Sequence, residues 1–122
     1  EITTFNELRS EIKNELSNPL QVAGVQFKAL PSLNLILKGH RKGELTVLTG
    51  PTGVGKTSIV SQISLDLAQQ NVRTLWGSFE ISNVRLIKKM LYQFAVKDLE
   101  AYLDEFDDVA DEFNNLPIYW MR

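Results

Sequence analysis

A chain of 122 residues with 43% hydrophobic and 23% charged side chains has the length and composition of one folded domain, not of a disordered or fibrous segment. The lack of cysteine excludes disulfides and thiolate-held metals, and a formal charge of -2 excludes an overall basic field that would recruit nucleic acid, though not a local basic patch. No apolar run approaches membrane-spanning length.

Thr4-Phe5-Asn6-Glu7 matches a capping box, in which the first and last side chains satisfy each other's backbone N–H groups. It predicts a helix with Phe5, Leu8, Ile12 and Leu16 on one stripe, stopped by Ser17-Asn18-Pro19. Such a stripe must be covered, either by its own domain or by a neighbouring protomer. Residues 20–30 read as irregular or extended, and a short helix is predicted from Pro31 to Leu37, closed by Gly39. His40, the only histidine, falls in a loop beside Arg41 and Lys42; it reads as a surface residue and the two cations as solvated charges.

Glu44–Thr49 is short, apolar and β-leaning, as a buried strand should be. Gly50-Pro51-Thr52-Gly53-Val54-Gly55-Lys56-Thr57 then satisfies G-x-x-x-x-G-K-[ST], the phosphate-cradling P-loop. Ile59, Val60, Ile63 and Leu67 follow at helical spacing, so strand, loop and helix stand in the order the motif requires. Glycines 50, 53 and 55 permit backbone angles at which successive N–H groups turn inward toward phosphate oxygens. The helix dipole points its positive end at the same oxygens. Lys56 is placed to meet the β- and γ-phosphates, and Thr57 to offer its hydroxyl to Mg²⁺. The chemistry implied is binding of a nucleoside triphosphate.

Gln70-Asn71 ends that helix, and Val72–Phe79 is predicted as a second strand, joined to the first by a parallel crossover. Glu80 follows directly. If the two strands are neighbours, its carboxylate projects toward the γ-phosphate and can orient and deprotonate a water; otherwise it simply precedes a helix whose dipole favours negative charge. Position alone leaves both readings open. Ser82 is the predicted N-cap of a third helix, with Ile87, Met90, Leu91 and Phe94 on its apolar face. A fourth is predicted over Leu99–Phe113, its acids (Glu100, Asp104, Glu105, Asp107, Asp108, Asp111, Glu112) forming a solvated face. Asn114, Asn115 and Pro117 end it before a terminal strand-like run, Ile118–Arg122. Trp76 and Trp120, both in strand-like runs, read as core residues. No hydrophobic strand ending in Asp follows residue 80, so the Walker B acid that would share the Mg²⁺ is expected beyond Arg122.

Three blocks carry a resemblance: residues 39–47 (Gly39-His40-Arg41-Lys42-Gly43-Glu44-Leu45-Thr46-Val47), the P-loop, and residues 74–86, with the specific run Trp76-Gly77-Ser78-Phe79-Glu80-Ile81-Ser82-Asn83-Val84-Arg85. Together with Glu15–Asn18, Gln21–Val25 and Asn115–Pro117, they resemble the Twinkle-type replicative DNA helicases of mitochondria, relatives of the phage primase-helicases and the DnaB helicases. The resemblance covers nearly the whole chain. It implies an α/β fold: a truncated RecA-like P-loop NTPase core with a parallel sheet, preceded by an amphipathic linker helix that docks on the neighbouring subunit. Residues 1–20 would be the linker region and 21–122 the N-terminal part of the helicase domain.

By the same resemblance, Glu80 and Lys56 are catalytic; Gly50, Pro51, Thr52, Gly53, Val54, Gly55, Lys56 and Thr57 bind nucleotide; and Thr57 holds the metal. The cofactors are ATP and Mg²⁺. The resemblance implies as partners other copies, in a ring of six or seven, and single-stranded and forked DNA reached mostly through regions outside this chain. The location the resemblance implies is the mitochondrial matrix and nucleoid. Two rival readings share the P-loop: a RecA-type recombinase or circadian-clock-like ATPase, and a non-catalytic, nucleotide-responsive oligomerisation module. The arginine finger is also expected outside these residues. Because such a finger is worth ~10³–10⁵ in turnover, the chain alone is expected to bind ATP weakly and hydrolyse it negligibly.

Overall fold

The computed structural model describes residues 1–18 and 24–122, which divide into two compact units, Glu1–Thr46 and Val47–Arg122. Of the segment expected to be irregular or extended, residues 20–23 lie outside the described residues, as does the helix stop at Pro19.

In the first unit, α1 (Phe5–Ser17) starts where the capping box predicts. The Glu7 carboxylate accepts hydrogen bonds from the Thr3 hydroxyl at 2.5 Å and the Thr4 backbone N–H at 2.8 Å. These bonds, Thr3's first, hold the Glu7 carboxyl below its ordinary pKa. The stripe forms, yet no residue of α1 is buried; Phe5 is 69% and Leu16 78% exposed. Across α2 (Pro31–Leu37), Val25 before it and His40 after it pair as an antiparallel bridge, with N···O distances of 3.0 and 2.9 Å. The backbones approach so closely that a Cβ on Gly24 would lie 2.5 Å from the His40 carbonyl carbon. Phe27 is buried, and Asn34 of α2 clamps it by donating to its carbonyl and accepting from its N–H, both at 2.8 Å. His40 is exposed, as expected, with its ring tilted against Phe27. Arg41 is more than a solvated charge. Its guanidinium donates to the Lys38 carbonyl at 3.1 Å, beside the C-terminus of α2, and pairs with Glu44 at 2.6 Å, the arrangement a helix C-terminus favours.

The expected strand at 44–49 is not formed. These residues have no ladder partner among the described residues, and Leu45 is 90% and Val47 71% exposed. Apolar, β-leaning sequence supplies propensity only; a strand exists when a neighbour takes up its N–H and C=O groups. Here β1 (Thr74–Trp76) pairs instead with β2 (Ile118–Trp120), in parallel, with Thr74 opposite Ile118 and Trp76 opposite Trp120. β1 is also shorter than the predicted 72–79. At one end the Val72 N–H donates back to Leu67, and past Trp76 the chain turns into a bend that the Ser78 hydroxyl braces through the Ile81 carbonyl, 2.9 Å away.

The second unit is built on α3 (Lys56–Gln69), α4 (Asn83–Ala95) and α5 (Phe106–Asn114). Ser82 caps α4 as predicted, accepting from the Arg85 N–H at 3.3 Å. The single helix expected over 99–113 is divided. Asp98 accepts the Glu100 N–H at 3.0 Å, and the following amides close three-residue turns through a 3₁₀ segment at Leu103–Glu105, so α-helix begins only at Phe106. Asp side chains compete with helical bonding in this way. Leu65, Ala68, Leu86, Met90, Phe113 and Ile118 form the core, with Trp76 and Trp120 packed against it. Phe113 stacks on Trp120 at 6.0 Å and meets Phe94 edge-on at 5.6 Å. Each fully buried apolar side chain contributes about 1.5–3 kcal/mol. No helix among the described residues is long and apolar enough to cross a membrane.

Candidate nucleotide-binding site

Gly50–Thr57 belongs to the second unit and leads into α3. Gly53 and Gly55 have φ values of 85° and 92°, in the left-handed region closed to most side chains. Gly55 is the N-cap of α3, and its carbonyl accepts the Ile59 N–H at 3.1 Å, so helical bonding begins at the loop's last glycine. Residues 50–55 are exposed throughout, which leaves their amides open to an incoming anion. The first turn of α3 carries no acidic residue, so nothing of its own offsets the positive end of the dipole. Lys56 opens the helix and its ammonium donates to the Gly50 carbonyl, tying the two ends of the loop together. The Thr57 hydroxyl, one residue on, is exposed. Left-handed glycines, a helix N-terminus, a cation at its head and an exposed hydroxyl make a donor set that fits a polyphosphate with its divalent ion.

Glu80 stands off the end of β1, in the bend at 79–81 before Ser82. It is exposed and forms no hydrogen bond or ion pair among the described residues. Because β1 has β2 as its ladder partner, the strand adjacency that would aim this carboxylate at the loop is not displayed. Thus the structure gathers the P-loop residues in one turn and leaves Glu80 on a separate connection. The acids of the 3₁₀ segment and α5 are exposed or half-exposed; Glu105 pairs with Lys97 at 2.5 Å. Among the described residues no group of three His, Cys, Asp or Glu side chains is placed to hold a metal.

The buried face of α3 departs from the expected one. Ile59 is 43% exposed and Val60 and Ile63 are half-buried, whereas Ser61, Ser64, Leu65, Asp66, Leu67 and Ala68 are buried. Small side chains let α3 approach α4, and their hydroxyls are satisfied: Ser64 donates to Val60 at 2.9 Å and Ser61 to the Gln93 carboxamide oxygen at 2.6 Å. Gln93 in turn donates to the Ser58 carbonyl at 3.0 Å, and the Lys89 ammonium reaches the Ser58 hydroxyl at 3.2 Å. Four residues around the first turn of the P-loop helix, Ser58, Ser61, Lys89 and Gln93, were thus missed from sequence. A signal existed. Gln93 follows Leu86 and Met90 at core-facing spacing, and Ser61 precedes Leu65 and Ala68 likewise, so each is a polar residue on an inward helical position.

A model of the AAA domain family matches residues 9–121. The chain belongs to this AAA domain family. The match runs from α1 through the P-loop to β2, so the mixed α/β unit with its short parallel sheet and Walker-type loop is AAA-domain architecture. As an AAA domain the chain is a P-loop NTPase, of a family that typically uses ATP with Mg²⁺ and often oligomerises.

Proposed function

We propose that this AAA domain is the N-terminal part of the RecA-like ATPase core of a Twinkle-type replicative DNA helicase, with residues 1–20 as its linker region. The observation that carries nucleotide binding is the loop itself: Gly53 and Gly55 at positive φ, opening directly into α3 behind Lys56. What carries the helicase reading is the run Trp76–Arg85, which is more specific than the P-loop. In this reading the loop amides and Lys56 hold the triphosphate and stabilise charge on the transferred phosphoryl group. Thr57 would hold Mg²⁺, which supplies further neutralisation of the β- and γ-oxygens. Glu80 orients the attacking water and accepts its proton.

Turnover between subunits of a six- or seven-membered ring would drive translocation on single-stranded DNA and separate a fork, with most DNA contacts made elsewhere in the protein. The uncovered stripe of α1 supports docking on a neighbour; an apolar groove of about 450 Å³, lined by residues of α4 and α5 such as Ile87, Leu91 and Phe106, offers a counterpart. A location in the mitochondrial matrix rests on the resemblance alone.

The test is duplex unwinding and ATPase by the complete protein. Lys56→Ala should abolish nucleotide binding while leaving the fold intact. Glu80→Gln should keep binding and lose turnover by ~10²–10⁴, the usual contribution of general-base catalysis. ATP hydrolysis without strand separation would favour a recombinase-type ATPase. Full activity in Glu80→Gln would favour a non-catalytic oligomerisation module, and steady-state turnover by the 122 residues alone would contradict the need for further parts.

A further inference from the structure

We infer that Gln93 is a positioning residue for the phosphate loop, holding the first turn of α3 in the conformation that takes Mg²⁺-nucleotide; this rests on the nucleotide-binding reading above. The carboxamide works in both directions: its nitrogen donates to the Ser58 carbonyl at 3.0 Å and its oxygen accepts from the Ser61 hydroxyl at 2.6 Å. Ser61 is fully buried, and the Lys89 ammonium adds a third contact from α4 at the Ser58 hydroxyl, 3.2 Å away. All three contacts fall on Ser58 and Ser61. Ser58 adjoins Thr57, whose hydroxyl is the candidate Mg²⁺ ligand, and the preceding residue is Lys56. The opening turn of a helix is held by fewer intrahelical bonds than its middle, so contacts from outside onto its carbonyls and side chains limit its fraying. Here the outside agent is a side chain from the helix that follows Glu80, so α4 links the connection bearing the proposed catalytic carboxylate to the turn bearing the phosphate contacts. The Ser61 hydroxyl also donates to the Ser58 carbonyl at 3.0 Å, so Gln93 joins these two groups with one acceptor and one donor, which leucine or methionine cannot supply.

If Gln93 sets the fraction of molecules with a binding-competent turn, its loss lowers apparent affinity by that fraction with little change in global stability. The experiment measures Mg²⁺-ATP binding, thermal melting and amide hydrogen exchange on the full chain and on three variants. Gln93→Met keeps the side chain's length without its polar atoms; Ser61→Ala removes one of the two bonds; Lys56→Ala reports on the nucleotide site itself. The expected result for Gln93→Met is about a tenfold weaker affinity, in line with two modest hydrogen bonds, with faster exchange confined to residues 57–61 and little shift in melting. Ser61→Ala should lie between it and the parent chain. Nucleotide binding lost in Lys56→Ala but unchanged in both Gln93→Met and Ser61→Ala would overturn the role of Gln93 and leave the nucleotide site standing. If Gln93→Met does not fold, Ser61→Ala decides alone, and parental affinity and exchange in that variant overturn the inference. Binding that survives Lys56→Ala, or is absent from the parent chain, defeats the nucleotide reading and this inference with it.

Discussion

Val96 ends α4 in the left-handed conformation, with φ of 56°, although its branched Cβ is poorly suited to that region. The residue is 88% exposed, so packing gives it nothing back. Val96→Gly should therefore stabilise the chain by about 1 kcal/mol, the scale of the left-handed penalty. Thermal or urea unfolding checks this, and an unchanged or lowered midpoint would contradict it. The P-loop was legible at this same scale because its signals are local: glycines that take positive φ at 53 and 55, and a lysine and a threonine at the start of the helix they open into. Gln93 was not, because its contacts exist only once α3 and α4 lie side by side. Glu80 is intermediate. Its place before a helix could be read, but the direction of its carboxylate depends on which strand lies next to β1.

Among the elements, those with local instructions formed where the sequence put them. The capping box starts α1 at Phe5, proline starts α2 at Pro31, and Ser82 starts α4. Elements without such a start signal did not follow the pattern. Residues 44–49 have strand composition without a ladder, and the run from Leu99 has helical spacing that the Asp98 side chain interrupts. The α1 cap also carries a pH dependence. Its carboxyl has a lowered pKa in the folded chain, so Glu7 favours the helix above the ordinary carboxylate value of 4.5, and that contribution disappears as pH falls through the depressed one. Helical circular dichroism should consequently fall more between pH 7 and pH 3 in the parent chain than in Glu7→Gln. Equal losses would mean that the cap contributes nothing to the helix. Glu44, lowered by its bond to Arg41, and Glu100, lowered by its bond to Lys88, titrate with the same sign but lie outside α1.

For the molecule as a whole, the family match and the loop geometry agree on a P-loop NTPase of the AAA domain family. The helicase action proposed above is a matter for the complete protein, since most of the proposed DNA contacts fall outside these residues. The proposed function requires that the loop at 50–57 and the carboxylate at 80 bear on one nucleotide. The most direct measurement is a crystal structure of the complete protein with Mg²⁺ and a non-hydrolysable ATP analogue. The phosphates are expected on the amides of residues 53–57, with the Lys56 ammonium moved from the Gly50 carbonyl to the β- and γ-oxygens, Thr57 on the ion, and Glu80 facing the γ-phosphate across a water. Nucleotide bound away from the loop, or Glu80 turned from the γ-phosphate with the loop filled, would contradict this arrangement.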